Sequence, residues 1–293
     1  MTFVAIGDNC LDVYIQTDET YVGGNALNVA VSWAREGRKT RYLGAVGDDP
    51  AAALVVSALD GQGVASSDVA TIAGRTGVTL VELNESDRRF VHEEFGVGAT
   101  WLPPDALLDT LTDGDWAHLA GIDLSRGIVQ DLTRRGARVS LDLSTHGIPP
   151  ELDGVDVCFA SAPDSLDDAH ALGQRIIAAG ARTALVTAGG AGSVGMDTAG
   201  AYRQPAEPVS VLDTCGAGDS YIAATIGAIA DGHDLSDAMR LGTLAAAVTC
   251  THTAGFPQTP TRTLPWIIDT YYPHAGASTD SAHAGRHPEH TPS

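Results

Sequence analysis

Residues 213–221 place two glycines, Gly216 and Gly218, around Ala217 and an acid, Asp219, directly after them. Glycines let the backbone approach a ligand closely, and the first turn of a helix directs N–H groups at an anion. A carboxylate beside such an anion site can take the proton of a hydroxyl while the N–H groups stabilise a phosphoryl group in transfer. The stretch therefore predicts phosphoryl-transfer chemistry. A capped helix start, in which Asp219 only favours the helix, is the other interpretation.

A second glycine motif lies at residues 23–30, where Gly23 and Gly24 precede Asn25 and Asn28. The two asparagines are three residues apart and share a helix face. Their amides offer both donors and acceptors, which suits sugar hydroxyls. An ordinary glycine turn before a helix remains the alternative.

Two further stretches follow predicted strands. Asp8 and Asp12 come just after the first strand and, taken alone, are interpreted as acids of a surface turn. Residues 187–193 follow a later strand and can pass close to phosphates. They overlap a G-x-G-x-x-G match at 190–195, but no helix pattern follows it, so a dinucleotide site is weakly indicated and a hairpin turn is the alternative.

Apolar periodicity predicts an α/β fold in which helices alternate with strands. Such alternation implies right-handed crossovers and a doubly wound, mostly parallel sheet flanked by helices. The predicted strands are 3–7, 41–46, 116–120, 138–143, 155–161 and 183–187, and the predicted helices are 23–37, 50–59, 124–135, 166–179, 219–230 and 235–251.

A small β-sheet lid is expected from residues 13–22 and 76–94, which include a hairpin signature at 77–83 and 88–95. Ligands bind beyond the carboxyl ends of parallel strands, where this lid would lie. Residues 1–274 are predicted to form one domain. Residues 275–293 lack large apolar side chains and are predicted to be a disordered tail.

The chain has 37 acidic residues against 17 Lys and Arg, for a net charge of −20, which argues against nucleic acid or an anionic membrane as a partner. The four cysteines are far apart without a C-x-x-C, so neither a zinc site nor a disulfide framework is favoured. Reduced thiols, the lack of a signal-peptide pattern and the lack of a long apolar segment together predict a cytoplasmic protein.

The two glycine motifs together resemble the paired signatures of the ribokinase-like (PfkB) carbohydrate kinase family, and the resemblance runs over residues 3–256. Residues 7–14, 77–83 and 159–163 are most similar to its fructoselysine 6-kinase branch. The resemblance implies a ribokinase-like fold and ATP-dependent phosphorylation of a sugar or sugar-amine hydroxyl, with fructoselysine as the first choice. Fructose, ribose and nucleosides remain alternative substrates.

The resemblance also implies roles for individual residues. Asp219 would be the catalytic base, and Gly216, Ala217 and Gly218 would form the anion hole. Sugar hydroxyls would be held by Asp12, Gly24 and Asn28, and ATP by Thr187, Gly189, Gly192, Gly218, Thr249 and Cys250.

Metal ligands are less clearly matched. The resemblance implies Mg²⁺, but the family's N-x-x-E element is replaced by residues 161–164, in which Asp164 could supply a carboxylate through water. Asp213 and Cys215 fall where some members bind a monovalent cation, so K⁺ is an open alternative.

The lid carries charges suited to the amino-acid end of fructoselysine. Glu82, Glu93 and Glu94 alternate along the strands, so that Glu82 and one of the other two can point inward, with Arg88 or Arg89 for a carboxylate. A solvated lid surface is the alternative.

Both faces of the first hairpin strand carry apolar atoms. Val78 and Leu80 lie on one face and Thr79 and Val81 on the other, which predicts a homodimer through the lid. Competing functions are a non-catalytic sugar or nucleotide sensor on the same fold and a dinucleotide oxidoreductase built on residues 190–195.

Overall fold

The computed structural model of the chain describes residues 1–84, 87–144, 147–163 and 165–272. In these ranges the strands are β1 (Phe3–Gly7), β2 (Cys10–Tyr14), β3 (Glu19–Gly23), β4 (Thr40–Gly47), β5 (Val69–Ile72), β6 (Val78–Asn84), β7 (Asp87–Glu94), β8 (Trp116–Ala120), β9 (Arg138–Asp142), β10 (Val157–Ser161), β11 (Thr183–Thr187), β12 (Ser193–Met196), β13 (Ala201–Gln204) and β14 (Thr261–Arg262). The α-helices are α1 (Asn25–Arg35), α2 (Pro50–Gly61), α3 (Asp105–Leu108), α4 (Ile128–Arg134), α5 (Leu166–Ala178), α6 (Ala217–Ala230), α7 (Leu235–Thr249) and α8 (Pro265–Tyr271).

Within these ranges nine strands form the larger sheet, in the order β13-β12-β11-β10-β9-β8-β1-β4-β5. The strands from β11 to β5 are parallel, and β12 and β13 add an antiparallel edge. The carboxyl ends of the parallel strands therefore meet along one edge of the sheet, where the loops that follow them gather.

Both faces of the larger sheet are buried, as alternate residues of β1 show. Phe3 and Ala5 belong to one apolar cluster, whereas Val4 and Ile6 belong to another. Helices α1, α2, α6 and α7 supply the first cluster, and α4 and α5 supply the second. Helices on both faces are the expected result of parallel strands joined by helical crossovers.

The smaller sheet is the lid, with five described strands in the order β14-β3-β2-β6-β7. Strand β2 follows β1 after two residues, so the chain passes from the main sheet directly into the lid. One face of the lid packs on the core through Val78 and Leu80, which share an apolar cluster with Ile267 of α8.

The ribokinase-like arrangement expected from the sequence is confirmed, and β1, β8 and β11 have the predicted bounds. The sequence did not predict β5, β12, β13, β14 or α8. Most of these are four residues or fewer, too short for periodicity to reveal, and α8 has only seven. Asp164 and the predicted tail, 275–293, lie outside the described residues, and the division into one domain and a tail stays a prediction.

No helix within the described ranges has the length and apolar character needed to cross a membrane.

Candidate active site

Helix α6 begins at Ala217 because Gly216 turns the chain in a left-handed conformation, with φ of 72°. The first turn of α6 carries Asp219, whose side chain is largely buried. The helix start thus presents N–H groups and a carboxylate to the same space at the carboxyl edge of the sheet. This is the arrangement that the sequence predicted for residues 213–221.

The two glycine motifs, far apart in sequence, meet at the start of α6. The Asn28 amide nitrogen, on α1, donates a hydrogen bond to Asp219 Oδ2 at 2.8 Å. The bond fixes one carboxylate oxygen and orients the carboxylate. Asp219 is therefore held by a specific partner from the predicted sugar-binding motif, which a simple helix-starting acid would not need.

Gly23 and Gly24 are required by close approaches in the structure. A Cβ on Gly23 would lie 2.2 Å from Asp12 Oδ2, and one on Gly24 would lie 2.4 Å from the Asn9 Cα. Gly24 also has φ of 109°, which disfavours a side chain. These glycines bring the start of α1 against the strand that carries Asp12.

Asp8 caps α1 from outside the helix. Its carboxylate accepts hydrogen bonds from the backbone N–H groups of Asn25 and Ala26, at 3.0 and 2.9 Å. Burial raises the pKa of Asp8 to about 6, with a smaller contribution from the charge of Asp142. The interpretation of Asp8 and Asp12 as surface-turn acids is wrong, because both are buried at the carboxyl edge.

Asp12 lies between two thiols that come from separate elements. Cys10 Sγ, on the same strand, lies 3.2 Å from Asp12 Oδ1, and Cys215 Sγ lies 3.7 Å from Asp12 Oδ2. Burial, and the negative charge of Asp12, raise the pKa of the Cys10 thiol, so that Cys10 stays protonated and donates. The contact with Cys215 places Asp12 beside the turn that leads into α6.

Asp213 ties that turn to the lid. Its Oδ1 accepts from the Cys215 N–H at 2.8 Å, and its Oδ2 accepts from the Ala254 N–H at 2.9 Å and from Tyr14 Oη at 2.5 Å. Burial raises the pKa of Tyr14, so its hydroxyl remains a donor. Tyr14 is a further residue of this site that was not predicted, although Cys10, Asp12 and Tyr14 alternate along β2 and thus share one face.

A monovalent cation at Asp213 stays a prediction from the family resemblance. The Asp213 carboxylate accepts hydrogen bonds from three described donors, which are the Cys215 and Ala254 N–H groups and the Tyr14 hydroxyl. In the described ranges no group of three or more His, Cys, Asp or Glu side chains is placed to hold a metal ion.

The predicted nucleotide residues lie on two sides of the α6 start. Thr187 ends β11, and the tight turn after it contains Gly189 and Gly192. A Cβ on Gly192 would lie 2.2 Å from the Gln204 carbonyl oxygen, so the turn needs glycine there. The Tyr221 hydroxyl donates to Ser193 Oγ at 3.0 Å, which fastens this turn to α6.

Thr249 and Cys250 lie on the other side, at the end of α7. The Thr249 hydroxyl is 2.6 Å from Ser220 Oγ, and the Cys250 carbonyl accepts from the Leu212 N–H at 2.8 Å. Several apolar side chains of the same two segments are exposed; they are Val209, Val211 and Leu212 before the turn and Leu244 and Val248 on α7.

The structure does not bring Glu82 and Arg89 to the face of the lid that carries Asp12. They face each other across β6 and β7 with an ion pair of 2.6 Å, on the same face as Leu80, whereas the face of Asp12 carries Thr79. Tyr272, just after α8, donates to Glu82 Oε1 at 3.4 Å. This pair therefore lies on the face of the lid that packs on the core. The expectation that Glu82 points toward the substrate is corrected.

The predicted dinucleotide site also fails. The residues after Gly192 form strand β12, antiparallel to β11, where a dinucleotide fingerprint requires a helix. The alternative hairpin interpretation of these residues is the one the structure supports.

Comparison with known proteins agrees with this geometry. A family model described as "pfkB family carbohydrate kinase" matches residues 1–137 and 148–262. Fructoselysine 6-kinase of Escherichia coli is 36% identical over 260 residues, covering 85% of this chain and 97% of that protein. Fructosamine kinase FrlD of Bacillus subtilis is 32% identical over 263 residues, covering 85% and 91%.

Solved structures show the same fold. Arabidopsis thaliana ribokinase, complexed with ribose and ATP, has a TM-score of 0.75 at 21% identity, covering 88% of this chain and 96% of its own. Vibrio cholerae fructokinase, with fructose, ADP and potassium bound, has a TM-score of 0.70 at 19% identity, covering 87% and 93%. With the family model matching most of its length and the paired glycine motifs meeting at Asp219, the chain belongs to the pfkB family of carbohydrate kinases and is an ATP-dependent kinase.

Proposed function

We propose that the protein transfers the γ-phosphoryl group of ATP to the 6-hydroxyl of fructoselysine or a close fructosamine. The contact between Asn28 and Asp219 at the start of α6 carries the proposal of phosphoryl transfer, because it joins an oriented carboxylate to an anion site. Fructoselysine itself is supported by the relatives, two of which are named as acting on fructoselysine or fructosamine and match over 85% of this chain.

The chemistry follows from the positions of the groups. The Asp219 carboxylate takes the proton of the sugar hydroxyl as the hydroxyl oxygen forms a bond to the γ-phosphorus. The bond from the γ-phosphorus to the β–γ bridging oxygen breaks, and ADP leaves. The N–H groups at the start of α6 stabilise negative charge on the transferring group.

The sugar would lie between Asp12, Gly24 and Asn28, and the ATP phosphates between α6 and the turn at 189–192. Asp12, Asn28 and Asp219 are all at least nine-tenths buried. Substrate entry then requires the lid to open, and closure removes water from the reacting groups.

Mg²⁺ would accompany ATP and neutralise charge on its phosphates. Asp164, the carboxylate assigned to it by resemblance, lies outside the described residues. K⁺ would bind near Asp213, as the family resemblance implies. The four cysteines are free thiols, which supports a cytoplasmic location.

The test is a comparison of kcat/KM for fructoselysine, fructose and ribose, with ATP consumption as the readout. Fructoselysine is expected to be used best, because plain sugars lack the amino-acid arm that would contact the lid. Equal or better use of fructose or ribose would reject fructoselysine and leave the kinase assignment standing. Sugar binding without ATP consumption would favour a non-catalytic sensor.

We propose that the protein also forms a homodimer through the lid. Val78 and Leu80, on one of the two apolar faces of β6, are covered within the chain by the core and α8. The proposal therefore rests on the apolar alternation of residues 78–81 in the sequence. Light scattering that shows only monomer at micromolar concentration would reject this proposal.

A further inference from the structure

The two faces of the lid have different surroundings. Tyr14, Tyr21 and Val81 form an apolar cluster with Ala254, and Ala254 donates its N–H to Asp213 at the catalytic turn. The face that carries Tyr14 and Val81 therefore looks toward the active site. The opposite face, with Val78 and Leu80, packs on the core and α8.

Strand register identifies the other side chains on the active-site face. Asp12 of β2 lies beside Thr79 of β6, and Thr79 lies opposite Glu93 of β7. Residues directly across a strand pair point to the same face. Asp12, Thr79 and Glu93 thus form one row across three strands on the face that looks toward the active site.

The neighbouring acids of the lid lie on the other face. Glu82 lies opposite Arg89, and Glu94 lies opposite Val78, which is buried in the core. Of the three acids that the sequence offered, Glu93 is the one that shares the face of Asp12. The bulge between Leu80 and Val81 shifts the register along β7 but leaves the pairing of Thr79 with Glu93 in place.

The Glu93 carboxylate is available for a ligand. Its side chain is exposed, and among the residues that the structure describes no side-chain hydrogen bond or ion pair engages it. Glu82, by contrast, is held by Arg89 at 2.6 Å and Tyr272 at 3.4 Å. Phe90, in the neighbouring row on the same face, offers apolar surface beside Glu93.

The spacing fits the length of the substrate. Strands β2, β6 and β7 are adjacent, so the rows of Asp12 and Glu93 are two strand spacings, about 10 Å, apart. A lysine arm attached through its side-chain nitrogen to C1 of a sugar has about eight bonds between the ring and the α-ammonium. Extended, it spans about 10 Å, because each bond of about 1.5 Å advances a zigzag chain by about 1.25 Å. A sugar held at Asp12 therefore brings that ammonium to Glu93.

We propose that Glu93 is the specificity-determining residue that binds the α-ammonium of the amino-acid arm, with the alkyl part of the arm lying on Phe90. The inference rests on the proposed function, because it takes a fructosamine with a charged arm as the substrate. A carboxylate and an ammonium form a charge-assisted hydrogen bond, which is among the stronger polar contacts available.

The test compares Glu93→Gln with wild type on three substrates: fructoselysine, its Nα-acetylated form and fructose. Glu93→Gln is expected to lower kcat/KM for fructoselysine about tenfold, the usual cost of losing one hydrogen bond to a charged group. The loss should appear in KM rather than kcat. Fructose and the acetylated substrate both lack the α-ammonium. Wild type and Glu93→Gln should therefore use each of them equally well.

Glu94→Gln is the matched control, since this adjacent acid is also exposed but lies on the opposite face. It is expected to leave all three substrates unchanged. If wild type prefers fructoselysine and Glu93→Gln keeps that preference, this inference is overturned and the proposed function stands. If wild type uses fructose better than fructoselysine, the proposed function is overturned and the inference with it.

Discussion

Replacing Asp219 with asparagine is expected to lower kcat by about 10²–10⁴-fold, the usual contribution of a general base. Asparagine has nearly the same shape, and its amide oxygen can still accept from the Asn28 amide nitrogen, now 2.8 Å from Asp219 Oδ2. What disappears is the ability to take the proton of the sugar hydroxyl. ATP binding should persist, because the N–H groups at the start of α6 are unchanged. Turnover assays and calorimetric titration with ATP measure the two properties.

Asp237 provides the matched control. It lies in the first turn of α7, as Asp219 does in α6, but it is exposed and pairs with Arg240 at 3.7 Å. Asp237→Asn removes the same kind of helix-end charge, which contributes about 0.3–1 kcal/mol to helix stability. Because Asp237 has no part in the proposed chemistry, kcat should stay within twofold of wild type. An Asp219→Asn enzyme that retains half its turnover would mean that this carboxylate only favours the helix.

The inner parallel strands of the main sheet are predictable from the sequence because they are buried on both faces, whereas the edge strand β5 is only partly buried. The inner strands are short continuous apolar runs, as in Phe3–Gly7 and Thr183–Thr187, and glycine or polar residues bound them. The edge strands β12 and β13 lack this signal. Ser193–Met196 contains a glycine and a serine, and Ala201–Gln204 alternates between exposed and half-buried residues.

The residues of the candidate site are predictable by type and only partly by position. Glycines followed by an acid predict an anion site with a base, and in the structure Asp219 lies buried in the first turn of α6. Asp8, in contrast, has the same local pattern as many surface acids. Its role as a cap for α1 depends on a contact with Asn25 and Ala26, which periodicity and propensity do not reveal.

The orientation of the lid strands limits how well the substrate-binding residues can be predicted from the sequence. Glu82 lies on β6 and Glu93 on β7, so alternation along either strand alone does not show whether their side chains share a face. The register of β6 against β7 decides this. That register includes a bulge after Leu80, which shifts the pairing by one residue. A one-residue uncertainty in register is enough to exchange the inward and outward faces, so the sequence left the choice between these acids open.

The role of Gly216 gives a second prediction of large effect. Gly216→Ala is expected to reduce kcat by at least about 10²-fold, because it displaces the donors and the base that stabilise the transferring group. A Cβ at this position would lie 2.3 Å from the Gly255 Cα and 3.1 Å from its carbonyl carbon and oxygen. All of these are backbone atoms, so the segment around Gly255 must move.

We expect that movement to reach the Asp219 carboxylate. Gly255 lies against Asn28, since a Cβ on Gly255 would be 2.6 Å from the Asn28 amide nitrogen. The same nitrogen donates to Asp219 Oδ2. Displacing Gly255 therefore disturbs the contact that orients Asp219, while Ala254, the preceding residue, loses its bond to Asp213.

Gly232→Ala separates this effect from backbone strain. Gly232 follows α6 at its other end with φ of 90°, and a Cβ there would meet nothing within 4 Å. It should lower the free energy of unfolding by about 1–2 kcal/mol, the cost of a left-handed alanine, and leave kcat unchanged. Gly216→Ala should show that cost and the loss of turnover together, measured by denaturant unfolding and by steady-state assays. If both variants lose the same stability and both keep their turnover, the close packing of Gly216 on Gly255 has no part in holding the catalytic turn.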